Sequence, residues 1–406
     1  MEQKLDAQYN NFIFRNGEIV WFQRYEGPWA LGVVVRREAA SSSKKQQYII
    51  QPLSNPLQQQ KQEICSHERM RPWLAWSPPP CTNPGLNPSP ANGNKEYTFS
   101  TTPWQAVAQG GFAGPKGEGD AVIDGSVLAA KQVETMVTPF QPLAKIENQP
   151  PGDLYYNGVF IGGEKLWVGD ALRLRNGSTM HDILVLHDIL ERQNPQDALR
   201  PTLLLIGDTY TPRTVQLEPQ AVPENDLHLP LRVREDLTAR NKVTLNGPTP
   251  QRRHSTFWRL QVKGARNKIS DIRGRVYETS VLAPLLDAAG FQNACSKGEW
   301  NDVGGYMNGQ GDCNRSQTPQ GAHVTFQPAE IKANLQQQPQ PQYMQQPQIL
   351  NQQSPPPQQQ HHQQQFHNNN FDEQFINYDT EGGFTNGYSG PQDYQQPGYW
   401  MDGAQR

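Results

Sequence analysis

From Leu335 to Arg406 the chain contains no lysine and one arginine, Arg406, against six acids: Asp372, Glu373, Asp379, Glu381, Asp393 and Asp402. Glutamine, asparagine, proline, glycine and scattered aromatics make up most of the rest of that stretch. Such a segment cannot bury enough apolar surface to offset the entropy of ordering it, so a disordered Gln/Pro/Asn-rich tail is expected over 313–406. Phe366, Phe371, Phe375, Tyr378 and Trp400 in a Gln/Asn background place the tail in the prion-like composition class. Any packed core must therefore come from what precedes it.

One base against six acids makes the tail −5, so residues 1–334 carry +2 of the whole-chain −3. That balance excludes a strongly basic histone-like protein. No apolar run approaches the roughly 20 residues of a spanning helix. The first residues also lack the charged start and apolar core of a signal peptide. Cys65, Cys81, Cys295 and Cys313 are widely spaced, without a Cys-x-x-Cys pair. A disulfide framework, a zinc ribbon and any other metal site are thus not expected, and neither is a cofactor. Cytosol or nucleus is the expected compartment.

Short β-rich runs dominate what is left. Gly17–Phe22, Pro28–Val35, Gln47–Leu53 and Met70–Trp76 are spaced as in a small all-β unit, and predict an SH3/Tudor-like barrel over 12–80. A Pro/Gly-rich linker is expected over 81–154, with one short helix at 127–137 capped by Asp124 and stopped by Pro139. A second strand-rich unit is expected over 155–312. Within it Ile183–Leu186 is a continuous apolar run, read as a strand buried on both faces or a short buried helix. The alternation of 171–175 points Arg173 and Arg175 outward. Peripheral helices are expected at 231–239 and 281–289, the second ended by Gly290. The fold class is mainly β.

Catalytic constellations are weak. Met180–Asp188 holds two His-Asp dipeptides, His181-Asp182 and His187-Asp188. Six residues along a strand span about 20 Å, too far for one ion, and on a helix the two histidines diverge in azimuth. They read as polar flanks of a buried strand. The glycine-rich stretch Gly304–Asp312 lacks the Gly-Lys-Ser/Thr signature of a phosphate cradle and reads as a turn-rich packing loop. No catalytic residue is assigned, and the chain is expected not to be an enzyme.

Binding features are stronger. Between Leu231 and Arg275 twelve bases face three acids, a local +9 that attracts phosphates or an acidic protein face. Arg252, Arg253, Arg259, Lys263, Arg266 and Lys268 are the candidate nucleic-acid or nucleosome contacts. The first unit is rich in aromatics, most of them needed as core. Tyr25 and Trp29, at a turn, are the candidates for an aromatic cage around methylated lysine.

Several motifs, in collinear order across 17–312, resemble a known family. Pro28-Trp29-Ala30-Leu31-Gly32-Val33-Val34, Met70-Arg71-Pro72-Trp73-Leu74-Ala75-Trp76, Asp124-Gly125-Ser126-Val127 and Gly163-Glu164-Lys165-Leu166-Trp167-Val168-Gly169-Asp170 are four of them. Leu229-Pro230-Leu231-Arg232-Val233-Arg234-Glu235-Asp236-Leu237, Ile272-Arg273-Gly274-Arg275-Val276-Tyr277-Glu278 and Trp300-Asn301-Asp302-Val303-Gly304-Gly305-Tyr306-Met307-Asn308-Gly309 follow. Together they resemble the cryptic loci regulator 2 family of fungal transcription-silencing proteins. The resemblance implies a non-catalytic, nuclear scaffold of a heterochromatin repressor complex, with histone deacetylase and Snf2-type remodeller subunits as partners. It also implies that the second unit is an elaborated β-barrel similar to a bromo-adjacent-homology (BAH) domain. Family members carry a further N-terminal region similar to a methyl-CpG-binding fold. No residues here match it, so DNA binding through that region is not carried over. The alternative from the residues is a nucleic-acid-binding regulator, using the basic segment for DNA or RNA and the tail for condensation. In neither case is a membrane or a small-molecule substrate expected.

Overall fold

The computed structural model describes residues 2–7, 12–24, 29–40, 42, 45–144, 152–177, 181–194, 197–216 and 228–311. The expected tail, Tyr25 and Cys313 lie outside the described residues. All of the described residues belong to one compact unit.

A short helix, α1 (Glu2–Asp6), precedes the first sheet, made of β1 (Ile19–Gln23), β2 (Trp29–Glu38), β3 (Gln47–Pro52), β4 (Glu63–Cys65) and β5 (Met70–Pro72). Successive strands β1 to β4 pair antiparallel, and β5 returns beside β1, giving the order β4-β3-β2-β1-β5. The described pairings give an open sheet, with none joining β4 to β5. Strand β1 is buried on both faces, and Trp21, Phe22, Leu31, Tyr48, Ile50 and Met70 are all buried in this sheet. Tyr277, Leu282, Val303 and Met307, more than 200 residues further along the chain, belong to the same apolar cluster.

Residues 81–154, expected as a linker, are structured over much of their length. They hold α2 (Trp104–Ala108), α3 (Ala121–Glu134) and β6 (Val137–Pro142). Cys81, Leu86, Trp104, Val107, Val127 and Leu128 form a separate apolar cluster there. The helix begins six residues before the expected start because Asp120, not Asp124, is its N-cap, accepting from Val122 N (2.7 Å) and Ile123 N (3.1 Å). Asp124 lies inside the helix, where it accepts from Thr82 and Asn83 backbone and side-chain donors and so fixes the preceding loop. Pro139 did not stop the helix. It sits in β6, at the outer edge of a sheet, where its missing N–H costs no ladder bond.

The second sheet contains β6 with β7 (Asp153–Ile161), β8 (Glu164–Trp167), β9 (Ala171–Leu174), β10 (Ile183–Asn194) and β11 (Asp197–Gln216). After α4 (Leu231–Leu245) come β12 (His254–Lys268) and β13 (Ile272–Arg275), then α5 (Thr279–Leu286) and α6 (Ala288–Ser296). The main order is β12-β11-β10-β7-β6, with β8 on β7 and β9 between β10 and β13. The Ile183–Leu186 run is a strand buried on both faces. Leu184 and Leu186 join one apolar cluster, while Ile183 and Val185 join another that is covered by Val233 of α4. The chain is thus mainly β, as its sequence indicated. Gly290 does not end a helix. It lies in the first turn of α6, where its N–H donates to the Asp287 side chain (2.9 Å).

Buried charges join the two sheets. Arg15, just before β1, forms a bidentate pair with Asp170, which precedes β9 (2.5 and 2.8 Å). Arg275 of β13 pairs with Glu18 (3.1 and 3.2 Å), and its backbone N–H donates to Glu164 (2.9 Å). Burial opposes ionisation of Asp170, but Arg15 outweighs it and holds the carboxyl below the usual carboxylate range. Ile19 N donates to Gly163 O (2.9 Å) at the same seam. A Cβ on Gly163 would lie 2.8 Å from Trp73, so only glycine permits this approach. Removing one partner of such a pair strands a buried charge. Asp170→Ala should therefore cost about 3–5 kcal/mol and lower the Tm in thermal unfolding; an unchanged Tm would show that the pair does not hold the seam.

Candidate functional site

The resembling motifs at 163–170, 272–278 and 300–309 converge beside this seam. Arg173 was expected to point outward, yet it is 8 % exposed. The loop 303–310 folds over its strand, and the guanidinium donates to the carbonyls of Arg275 (3.2 Å), Gly304 (3.3 Å), Arg273 (3.4 Å) and Asn308 (3.2 Å). That loop is the expected packing loop. Asn308 N donates to Leu74 O (2.8 Å) and Gln310 N to Arg273 O (2.9 Å), so it touches the ends of both sheets.

Between α4, β12 and this loop lies a cavity of about 90 Å³, lined in part by Arg232, Asp236, Arg240, Trp258, Arg273 and Asp302. Arg232 pairs with Glu278 through Nε and, at 3.2 Å, through Nη2. Asp302 caps the 3-10 turn 303–306, accepting from Gly304 N (2.7 Å). Arg240 Nε and Arg273 Nε are buried without a hydrogen-bond partner among the described residues. Asp236 accepts from Ser280 N at the start of α5 (3.3 Å). Burial, reinforced by the nearby Asp302 carboxylate, pushes its carboxyl up to about 7. The cavity is thus lined by several arginines next to an acid pushed up to about 7, a lining suited to a small polar or anionic group. Sequence reasoning missed it because its members come from at least five separated segments, within 173–183, 232–240, 258, 273–278 and 302–305. The only signal was that three of the resembling motifs, at 229–237, 272–278 and 300–309, each supply part of the lining.

The six candidate basic residues are all exposed, but they do not form one surface. Arg252 ends a 3-10 turn and lies 3.9 Å from Glu299, and Arg253 Nε donates to Gly247 O (3.0 Å). On β12, Arg266 and Lys268 stand opposite Ile206 and Leu204, whereas Arg259 stands opposite Thr211. Cross-strand partners share a face and alternate along the strand, so Arg259 projects from the other face. Lys263 sits at a register shift between them. Other members of the +9 segment are internal: Arg232 and Arg275 are neutralised in the buried pairs with Glu278 and Glu18.

Trp29 is half-buried. Trp76 packs edge-on against it (centroids 4.8 Å apart), and the Arg71 guanidinium lies 5.0 Å from its ring centroid. Its ring already has a cation from within the chain, and Tyr25 lies outside the described residues. His187 faces Asp208 at 3.8 Å while His181 lines the cavity, so the two histidines serve different surroundings. Among the described residues no group of three or more His, Cys, Asp or Glu is placed to hold a metal, and no helix is long and apolar enough to cross a membrane.

Fold and site define a mainly β protein whose two sheets share buried ion pairs, with four of the six candidate basic contacts on the exposed edge strand β12. Residues 155–278, from β7 to just past β13, match the family model of the transcription-silencing protein Clr2. The family resemblance read from sequence is borne out there. No curated protein matches the chain. A solved structure described as Clr2 bound to the Clr1 C-terminus is similar at 14 % identity and a TM-score of 0.40. The match covers 68 % of this chain and 55 % of that one, so the chain spans about half the length of that relative.

A raised carboxyl pKa means that the folded state holds the proton more tightly than the unfolded chain, whose Asp titrates near 3.9. Asp236 should therefore take stability away progressively between about pH 4 and about pH 7, with the full penalty present above that. Asp236→Asn should raise the Tm at pH 8, leave it nearly unchanged at pH 4, and flatten the profile between. Equal effects at both pH values would contradict a buried, titrating Asp236.

Proposed function

We propose that this protein is a non-catalytic nuclear subunit of a heterochromatin repressor assembly, which scaffolds a histone deacetylase and a Snf2-type remodeller to repress transcription. The observation that carries the reading is the Clr2 family match over 155–278, which takes in most of the second sheet together with α4. In this reading the second sheet serves as the BAH-like docking module, and the first sheet and the loop 303–310 hold it rigid through the buried seam. Rigid sheets with exposed edges suit assembly, because docking then costs little ordering entropy. The nucleic-acid alternative is less favoured: phosphate binding draws on a concentrated field, and the exposed bases here are divided between faces.

Affinity purification of the tagged full chain from nuclear extract tests the proposal. Co-recovery of deacetylase and remodeller subunits is the expected result; recovery of neither would remove the scaffold reading.

A further inference from the structure

Strand β12 is an edge of the second sheet, paired only with β11 among the described residues. Helix α4 seals the beginning of that edge. Asn241 Nδ2 donates to Thr256 O and Asn241 Oδ1 accepts from Thr256 N, both at 2.8 Å, so one side-chain amide takes the place of a neighbouring strand. Thr244 Oγ1 does the same for His254 O (2.8 Å). The cover stops there. Ser255 and Thr256 are buried, Phe257 and Trp258 half-buried, and every residue from Arg259 to Gly264 is exposed.

Register fixes what the open part presents. Thr256, Trp258 and Leu260 face Thr214, Pro212 and Tyr210 without interruption. Thr256 directs its N–H and C=O away from β11, so Trp258 and Leu260 do the same by antiparallel alternation. Beyond Leu260 two register shifts follow, the second around Gly264 with φ +64°, and they end the regular edge. Leu260 and Val262 are 44 % and 53 % exposed beside these free backbone groups. The whole strand, His254–Lys268, contains Arg259, Lys263, Arg266 and Lys268 and no acid. Arg259 and Lys263 form no ion pair among the described residues.

We propose that the β12 edge at 257–263 docks an extended, acidic segment of a partner protein by strand addition. Main-chain bonds to Trp258 and Leu260 hold the segment, its aliphatic side chains cover Leu260 and Val262, and its carboxylates meet Arg259 and Lys263. Strand addition draws affinity from the backbone and specificity from alternate side chains, which is what this edge provides. The proposal rests on the docking-subunit reading, but it is tested separately from it.

The probe is a synthetic peptide of alternating glutamate and valine, added to the full-length protein. Hydrogen exchange should slow at the Trp258 and Leu260 amides. Peptide affinity, read by fluorescence anisotropy, should fall about tenfold or more in Arg259→Glu/Lys263→Glu, whose side chains are exposed, and in Leu260→Pro, which removes an outward N–H. An alternating lysine–valine peptide should not bind. Unchanged exchange at these amides, or affinity insensitive to both variants, would overturn the proposal. So would a short DNA duplex that protects the same residues and displaces the peptide, which would make the edge a nucleic-acid contact. Peptide binding without deacetylase or remodeller in the purification would sink the silencing scaffold and leave the edge standing. Recovery of those subunits with no peptide binding would do the reverse.

Discussion

The buried pairing of Arg15 with Asp170 and of Glu18 with Arg275 is the interaction on which the rest of this structure depends. Each pair takes one charge from the approach to the first sheet and one from the second. Neither is tolerable alone in a dry interior, so the sheets are held in one arrangement or not at all. Packing around the pairs follows from that. Tyr277 reaches Glu164 (3.1 Å) and lies under the Arg275 guanidinium, while Asp6 of α1 accepts from Trp167 Nε1 (2.8 Å) and Arg37. The apolar cluster of the first sheet is completed only when Tyr277, Leu282, Val303 and Met307 are brought to it. A core built across so much sequence cannot form from either half.

Local pattern was legible where it had a local cause. The Ile183–Leu186 run announced burial on all sides, as a strand or a short helix, because four consecutive apolar residues need more than one core to receive them, and the structure makes it a strand. The first unit's strands were readable from their β-branched and aromatic runs. Arg173 was misread because its partners are carbonyls 100 to 135 residues away, and alternation carries no information about a loop that folds over the strand. Asp124 resembled a cap because capping and loop-clamping call for the same side chain, and Asp120 had the better position. The +9 segment misled in a related way. Counting charges along the chain cannot show that Arg232 and Arg275 are consumed internally by Glu278 and Glu18.

Functional reading follows the same division. The resembling motifs at 163–170, 229–237, 272–278 and 300–309 end up at the seam, in the cavity beside it or in the loop that spans both, so what they specify first is a rigid body. In the proposed reading, two features beside that body are open to other molecules: the cavity under α4 and the part of β12 beyond the reach of Asn241. Both involve Trp258, which lines the cavity and opens the free edge.

Site-resolved hydrogen exchange on Glu18→Ala in the full-length protein tests the central claim most directly. Loss of Glu18 leaves Arg275 buried and unpaired between the sheets. Exchange should therefore accelerate by the same factor in β1 of the first sheet and in β9 and β13 of the second, as expected for one cooperative unit. Acceleration confined to β1, with β9 and β13 unchanged, would contradict the account.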